Sequence, residues 1–483
     1  MQFHDRVLAL NDISHDLSTL PSGDTGSRLT SLLAAINANN RAAAMDFLAA
    51  NLALPPSAAV GIEDYAEWML SFYRGTQGVV LRGIEPANRQ TSHLVLIVED
   101  RLYSAWHRIR VHFERDGLGP IIAIGAGPAD SGDNGAITKG EYVRLARTLC
   151  ERGSEAAVFS GSVLVSSGDD VLFEYACGES NKRCRTPNNA ETKFNLGSAN
   201  KMFTAVTVAQ LVEQGRLSFA DTIDRYVDET WLPASVTSGI TVHHLLSHTS
   251  GLGSYFNDAF FNGSRALYRE IDDFKPLVRD DRPAFTPGER FEYSNTGMLL
   301  AGVVIERVTG LSYFDHIRSA IYEPSGMTNT DSYDIDVPID NLAMGYMLAP
   351  GYGGKQLAVA NTQVWRENIF EHVAKGGPAG GGYSTVRDLH RFSQALLSGK
   401  LLSADMRKIL WTDHSGAGYG YGFIVEHTPR GITIGHDGGF PGISASFTMH
   451  LDSGHVVIVL SNYDVGTFGL TRCLDDMIAR LRG

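Results

Sequence analysis

Serine and lysine stand three residues apart in Phe194-Asn195-Leu196-Gly197-Ser198-Ala199-Asn200-Lys201, just before the apolar run from Met202 to Val212. This pair constrains the fold more than any other feature of the chain. Residues three apart share a helix face, so the two side chains can meet. The lysine can take the serine proton only if burial or neighbours suppress its own charge. The fold must therefore bury a lysine at the head of a core helix and open the serine beside it to a cleft. Taken alone the pair is weak, because many solvated helix faces carry it by chance.

The chain has 483 residues, too many for one ordinary domain and comfortable for two. Apolar residues make up 43% and charged residues 20%, a core-forming composition. The net charge of −13 argues against nucleic acid or an anionic membrane as partner. No uninterrupted apolar stretch is long enough for a transmembrane segment. Met1 to Asp12 lacks the apolar core of a signal peptide. That reads as cytoplasmic as given, or as periplasmic or secreted if a leader was removed. The four cysteines, Cys150, Cys177, Cys184 and Cys473, form no Cys-x-x-Cys pair. Cys177 and Cys184 flank a polar loop, where either a disulfide or two free thiols would fit.

Residues 1–135 read as a separate α+β domain. A helical, alanine-rich stretch runs from Arg28 to Leu52, with Leu29, Leu32, Leu33, Ile36, Phe47 and Leu48 as candidate core. A second helix follows over 62–74. Four alternating runs, at 78–84, 93–98, 105–113 and 121–124, then read as an antiparallel sheet. Pro128 to Ala136 reads as a linker. Residues 136–483 open with a helix and a hairpin and close with three strands and a helix. Early and late strands thus bracket a long helical middle. Gly416 to Gly422 reads as a strand with close backbone approach.

Two further motifs lie downstream. Tyr293-Ser294-Asn295 supplies Tyr-x-Asn, and His436-Asp437-Gly438 supplies His-x-Gly. With Ser-x-x-Lys in this order, the chain resembles the penicillin-recognising serine hydrolases. That group holds class C β-lactamases, D-alanyl-D-alanine carboxypeptidases, D-aminopeptidases and β-lactamase-like carboxylesterases. Ile240 to Leu252, Ala301 to Glu306, Glu323 to Met327 and Gly380 to Thr385 extend the resemblance over about residues 136–483. It implies an α/β fold in which an antiparallel sheet, built from both ends of the domain, is flanked by helices. An all-helical subdomain forms the other wall of the cleft. The order of elements in 1–135 resembles the nuclear-transport-factor-2-like cone fold.

In this reading Ser198 is the acylated nucleophile, where the plain alternative is an N-cap. Lys201 is the general base and Tyr293 shares the proton shuttle, its alternative a core tyrosine. A phenolate there would need positive charge from Lys201. Asn295 orients Lys201 and meets the substrate, or is only a turn residue. His436 sits beside the substrate's acyl or carboxylate group, neutral or charged. By resemblance, the Gly439 and Ser198 N–H groups form the oxyanion hole, with Gly438 giving close approach. The plain alternative is a hairpin turn. Tyr383 either lines the acyl pocket or packs. His244 and His248 have zinc-like spacing but no third ligand, so no metal and no cofactor is expected. The expected activity is a serine hydrolase acting on carboxylic esters. The alternatives are a D-amino-acid peptidase or amidase, a weak β-lactamase, or an inactive module binding a peptidoglycan fragment or partner. The expected substrate is a small ester, amide or D-amino-acid compound, and the N-terminal domain is a candidate for homo-oligomer formation.

Overall fold

The computed structural model describes residues 20–21, 23–55, 60–85, 93–115, 118–129, 132, 135–348, 364–428 and 431–482. Met1 to Asp12 and part of the expected linker lie outside them. The chain divides into two compact units, Met1–Val158 with Phe468–Gly483, and Phe159–Thr467.

The first unit begins with α1 (Asp24–Asn37), α2 (Arg41–Asn51) and α3 (Ile62–Thr76). The single helical stretch expected over 28–52 is two helices. Asn39 takes a left-handed φ of 47°, and the Asn40 side chain caps α2 by accepting the Ala43 N–H at 3.1 Å. Four antiparallel strands follow in sequential order: β1 (Val79–Ile84), β2 (His93–Asp100), β3 (Trp106–Arg115) and β4 (Leu118–Pro128). Leu29, Leu32, Ile36 and Leu48 pack into one core with Leu96, Val98, Ile109 and Val111. Leu33 is only partly buried. The same unit holds α4 (Lys139–Glu155) and the C-terminal helix Phe468–Ile478. These two helices are tied by the Tyr142 hydroxyl, which donates to the Leu474 carbonyl at 3.4 Å. The expected break at 135/136 falls inside this unit.

The second unit is built on a six-stranded antiparallel sheet. The elements that frame the site, in chain order, are β5 (Gly161–Ser167), β6 (Asp170–Cys177), α5 (Lys201–Glu213), α6 (Asn295–Thr309), β7 (Ile424–Thr428), β8 (Gly431–Phe440), β9 (Ile443–His450) and β10 (His455–Ser461). The strands lie in the order β7-β8-β9-β10-β5-β6, so late strands join the early hairpin where Val459 sits opposite Val163. β10 reads Val456 to Leu460 without polar alternation because it is buried on both faces. Helix α5 is likewise enclosed, with Lys201 through Ala209 all buried. Helix α6 starts where the Ser294 hydroxyl accepts the Gly297 N–H at 2.8 Å, and it stops at left-handed Gly310.

One expectation fails here. Gly416 to Gly422 is not a strand but a turn wrapped around Asp413. That carboxylate accepts N–H bonds from Ser415, Gly416 and Gly418 at 2.9–3.0 Å. A carboxylate offered to the backbone competes with sheet pairing, and it wins locally. The four cysteines are free thiols.

Candidate active site

The nucleophile turn is set by backbone approach. Phe194–Asn195 pairs with Tyr383–Ser384, and Gly197, at a left-handed φ of 49°, donates its N–H to the Asn195 side chain at 2.9 Å. A 3-10 turn, Gly197–Asn200, then leads into α5. Ser198 therefore lies in the 3-10 turn rather than in the α-helix. Side chains three apart eclipse there, which brings Lys201 Nζ to 3.0 Å from Ser198 Oγ. Strand β8 presses on this turn. A Cβ at Gly438 would lie 1.9 Å from the Leu196 carbonyl oxygen, and one at Gly380 would lie 2.9 Å from that of Gly197. No side chain fits at either place. Around Gly439 the space is open, and the residue is exposed. Ser198 itself is half-buried, so a ligand can reach it.

Lys201 is fully buried. Besides Ser198, its Nζ meets Asn295 Oδ1 at 3.0 Å and the Ala379 carbonyl oxygen. Burial holds its pKa well below that of a free lysine. Its Nζ also lies 4.8 Å from the centre of the Tyr293 ring. Tyr293 is half-buried as a residue, but its hydroxyl oxygen is shielded and makes no hydrogen bond of ordinary geometry among the described residues. Burial raises its pKa. The neighbouring Ser198 hydroxyl opposes that shift without overcoming it. Asn295 Nδ2 donates to Ser254 Oγ at 3.1 Å, so the amide is fixed at both ends.

His436 is 2% exposed, and both ring nitrogens meet protein groups. Nδ1 lies 2.6 Å from the Asp437 carbonyl oxygen and Nε2 lies 2.9 Å from the Tyr419 hydroxyl. A carbonyl only accepts, so Nδ1 carries a proton, and Nε2 is left to the Tyr419 hydroxyl. The residue expected beside the substrate's acyl or carboxylate group thus forms a buried pair with Tyr419. Tyr383, expected to line a pocket or pack, is 4% exposed behind the nucleophile turn, its backbone paired with Asn195.

Two residues of the site escaped the sequence reading as site members. Tyr419 is one, and the turn around Asp413 delivers it. His248 is the other. It is fully buried at a left-handed φ of 56°. Its carbonyl accepts the Glu292 N–H at 2.9 Å, and its Nδ1 accepts the Ser294 N–H at 3.1 Å. The two bonds flank Tyr293. The imidazole also packs on the Tyr293 ring with centroids 4.3 Å apart, and on Tyr419 at 4.7 Å. Burial, then Lys201, lowers its pKa well below the ordinary histidine value, so it is neutral. The signal was its place in the signature Ile240 to Leu252. His244 instead caps its own short helix, its Nδ1 accepting the Thr241 N–H at 3.1 Å. No cluster of three or more His, Cys, Asp or Glu able to hold a metal occurs among the described residues.

The Beta-lactamase family model matches residues 145–476. Penicillin-binding protein 4* of Bacillus subtilis (strain 168) is 31% identical over 337 residues, covering 66% of this chain and 72% of that protein. A penicillin binding protein from Bacillus halodurans, of known structure, is 27% identical with a TM-score of 0.60, covering 70% of this chain and 98% of that one. An octameric penicillin-binding protein homologue from Pyrococcus abyssi is 26% identical with a TM-score of 0.61, covering 70% and 77%. From about residue 145 the chain belongs to the Beta-lactamase family, with the α/β fold and the serine-hydrolase character that it shares with penicillin-binding proteins.

Proposed function

We propose that the protein is a serine hydrolase that forms an acyl-enzyme on Ser198 and acts on carboxylic esters. One observation carries the ester reading. Both His436 nitrogens are engaged by Asp437 and Tyr419, so this position offers no free cation to a substrate carboxylate. Peptidoglycan peptides and β-lactams carry such a carboxylate, whereas simple esters do not.

In this reading neutral Lys201 is the base, a form that its burial favours. A neutral amine has two N–H donors and one lone pair. Nζ donates to Asn295 Oδ1 and Ala379 O, and in the neutral amine the lone pair is left to face the Ser198 hydroxyl. Lys201 takes the serine proton as Oγ bonds to the substrate carbonyl carbon. The oxyanion lies against the Ser198 and Gly439 N–H groups, which are worth most in a water-poor site. Tyr293, held protonated by burial, gives its proton to the leaving oxygen and recovers one from the Lys201 ammonium. Water then repeats the sequence on the acyl-enzyme. A protonated Tyr293 also suits a poorer leaving group, so D-amino-acid amide hydrolysis is the second reading.

The test is turnover of a nitrophenyl ester, a D-alanyl amide and a cephalosporin, with Ser198→Ala as control. Labelling by a fluorophosphonate, located by mass spectrometry, identifies the acylated residue. Unchanged ester turnover by Ser198→Ala, or a label elsewhere, would sink the assignment. Amide or cephalosporin turnover above that of the ester would replace the ester reading.

We also propose that the hydrolase domain spans 136–483, because the family match runs from 145 to 476 and takes in most of α4 and of the C-terminal helix. Residues 1–135, with three helices before a four-stranded sheet, are proposed as a cone-fold domain that mediates self-association. Equal subunit counts by light scattering for the full chain and for 136–483 would count against that role.

A further inference from the structure

Strand β8 contributes more than backbone to the site. Side chains alternate across a strand, so positions 438 and 440 share one face. The Cβ direction at Gly438 points at the Leu196 carbonyl and at the Ser198 nitrogen, 3.1 Å from the latter. Phe440 therefore projects on the face that carries the nucleophile, roughly 7 Å further along the strand. Its ring stacks on Phe256 with centroids 5.2 Å apart and planes 27° apart. Phe256 comes from a different segment, the loop before the short helix Asp258–Asn262. It lies two residues beyond Ser254, whose hydroxyl accepts from Asn295, the residue that also holds Lys201. Phe256 is backed by Phe260 at 4.9 Å, and the Arg265 guanidinium lies 5.4 Å from the Phe260 ring. Both Phe256 and Phe440 remain half-buried rather than sealed into the core. Gly439, between Gly438 and Phe440, is exposed, and a Cβ there would meet nothing within 4 Å.

We propose that Phe440 and Phe256 form an aromatic shelf that receives the acyl group of the substrate and selects a flat apolar one. An arylacetyl or arylpropanoyl chain has the reach to lay its ring on the shelf while its carbonyl carbon sits at Ser198. The acyl side is assigned because Phe440 follows Gly439, the oxyanion donor, whereas the leaving group departs toward Tyr293. The inference rests on the acyl-enzyme reading above. Its chemistry is ring stacking and apolar burial, which discriminate by size and flatness rather than by charge.

The experiment compares kcat/KM for the phenylacetyl and acetyl esters of one nitrophenol, in wild type, Phe440→Ala, Phe256→Ala and Phe440→Leu. Wild type should prefer the aryl ester. The preference ratio should fall roughly tenfold in either alanine variant, and by less in Phe440→Leu, which keeps apolar bulk but not the ring. The Leu variant also serves where an alanine variant fails to fold. A wild type with no aryl preference overturns the shelf, and so does a ratio that none of the variants moves. Fluorophosphonate labelling of Ser198 in every variant separates the two readings. A labelled, ester-cleaving protein with an unmoved ratio rejects the shelf alone, whereas a protein that cleaves neither ester and takes no label rejects the acyl-enzyme reading.

Discussion

Two walls meet at Ser198, and they are made differently. The helical wall presents side chains: Lys201, Tyr293, Asn295 and His248. The strand wall, β8, presents backbone and glycine, and it turns His436 inward onto Tyr419. On the helical wall burial lowers Lys201 and His248 and raises Tyr293, so all three are biased toward their uncharged forms. Charge arises there only when a proton moves. The strand wall moves no proton; its task is to sit at the right distance. Changes on the helical wall should therefore appear in kcat and its pH dependence. Changes on the strand wall should appear in fit.

The largest expected effect is at Lys201. Lys201→Met should lower kcat by about 10³–10⁵-fold, because the serine loses its base. Tyr293→Phe should also be severe, and the double variant should lose little more than the worse single one, since one relay is broken once. Losses that multiply would separate the two residues. In the wild type, activity should fall on the acid side as Lys201 takes up a proton. Stability has the same sign. An unfolded lysine is protonated below its ordinary pKa of about 10.4, while the folded one stays neutral down to its lowered value. The unfolded state thus binds more protons in that window, and stability falls as pH drops through it. Lys201→Met should remove this slope and gain about 1–3 kcal/mol near neutral pH, read by urea denaturation. A Met variant less stable than wild type would show that the amine's three contacts outweigh its burial.

The strand wall gives a sharper contrast between neighbours. Gly438→Ala forces β8 away from the Leu196 carbonyl, because the new methyl would lie 1.9 Å from it. The oxyanion donors then part, and kcat should fall about 10²–10³-fold. At Gly439 a methyl meets nothing within 4 Å, so Gly439→Ala should cost less than about threefold. Comparable losses at both positions would mean that β8 acts as a unit rather than through one close contact.

The positions proposed as catalytic on the helical wall were legible in the sequence because the proposed chemistry ties particular residue types to fixed spacing. Ser198 and Lys201 are an eclipsed pair, and Tyr293 and Asn295 flank a helix cap. The six-stranded sheet was legible in outline because β10 is a continuous apolar run and its neighbour β9 alternates apolar and polar residues. What stayed hidden depends on partners distant in sequence. Nothing at His436 announces that Tyr419 will occupy its Nε2, because the turn that delivers Tyr419 is organised by Asp413. The same carboxylate turned Gly416 to Gly422 from an expected strand into a loop. The break between α1 and α2 rests on a left-handed Asn39 and an Asn40 cap, which an alanine-rich helical pattern masks. The clamp of His248 on Tyr293 acts largely through the backbone N–H groups of Glu292 and Ser294, and side-chain patterns do not report those.

That clamp yields the smallest and most discriminating effect. His248 holds the segment of Tyr293 by three means: its carbonyl, its Nδ1 and its ring face. His248→Phe keeps the ring and the carbonyl but leaves the Ser294 N–H buried without an acceptor. That should cost about 1–3 kcal/mol of stability. His248→Asn keeps an acceptor of similar reach and tolerates the left-handed φ of 56°, but it removes the ring against Tyr293. If the imidazole positions the phenol, the Asn variant should be the more stable of the two and still lose about tenfold in kcat, with KM little changed. Activity per fluorophosphonate-titrated site removes any contribution from unfolded protein. Should both variants retain wild-type kcat per titrated site, His248 would be a structural member of the helical wall, and the neutrality shared with Lys201 and Tyr293 would reflect depth alone.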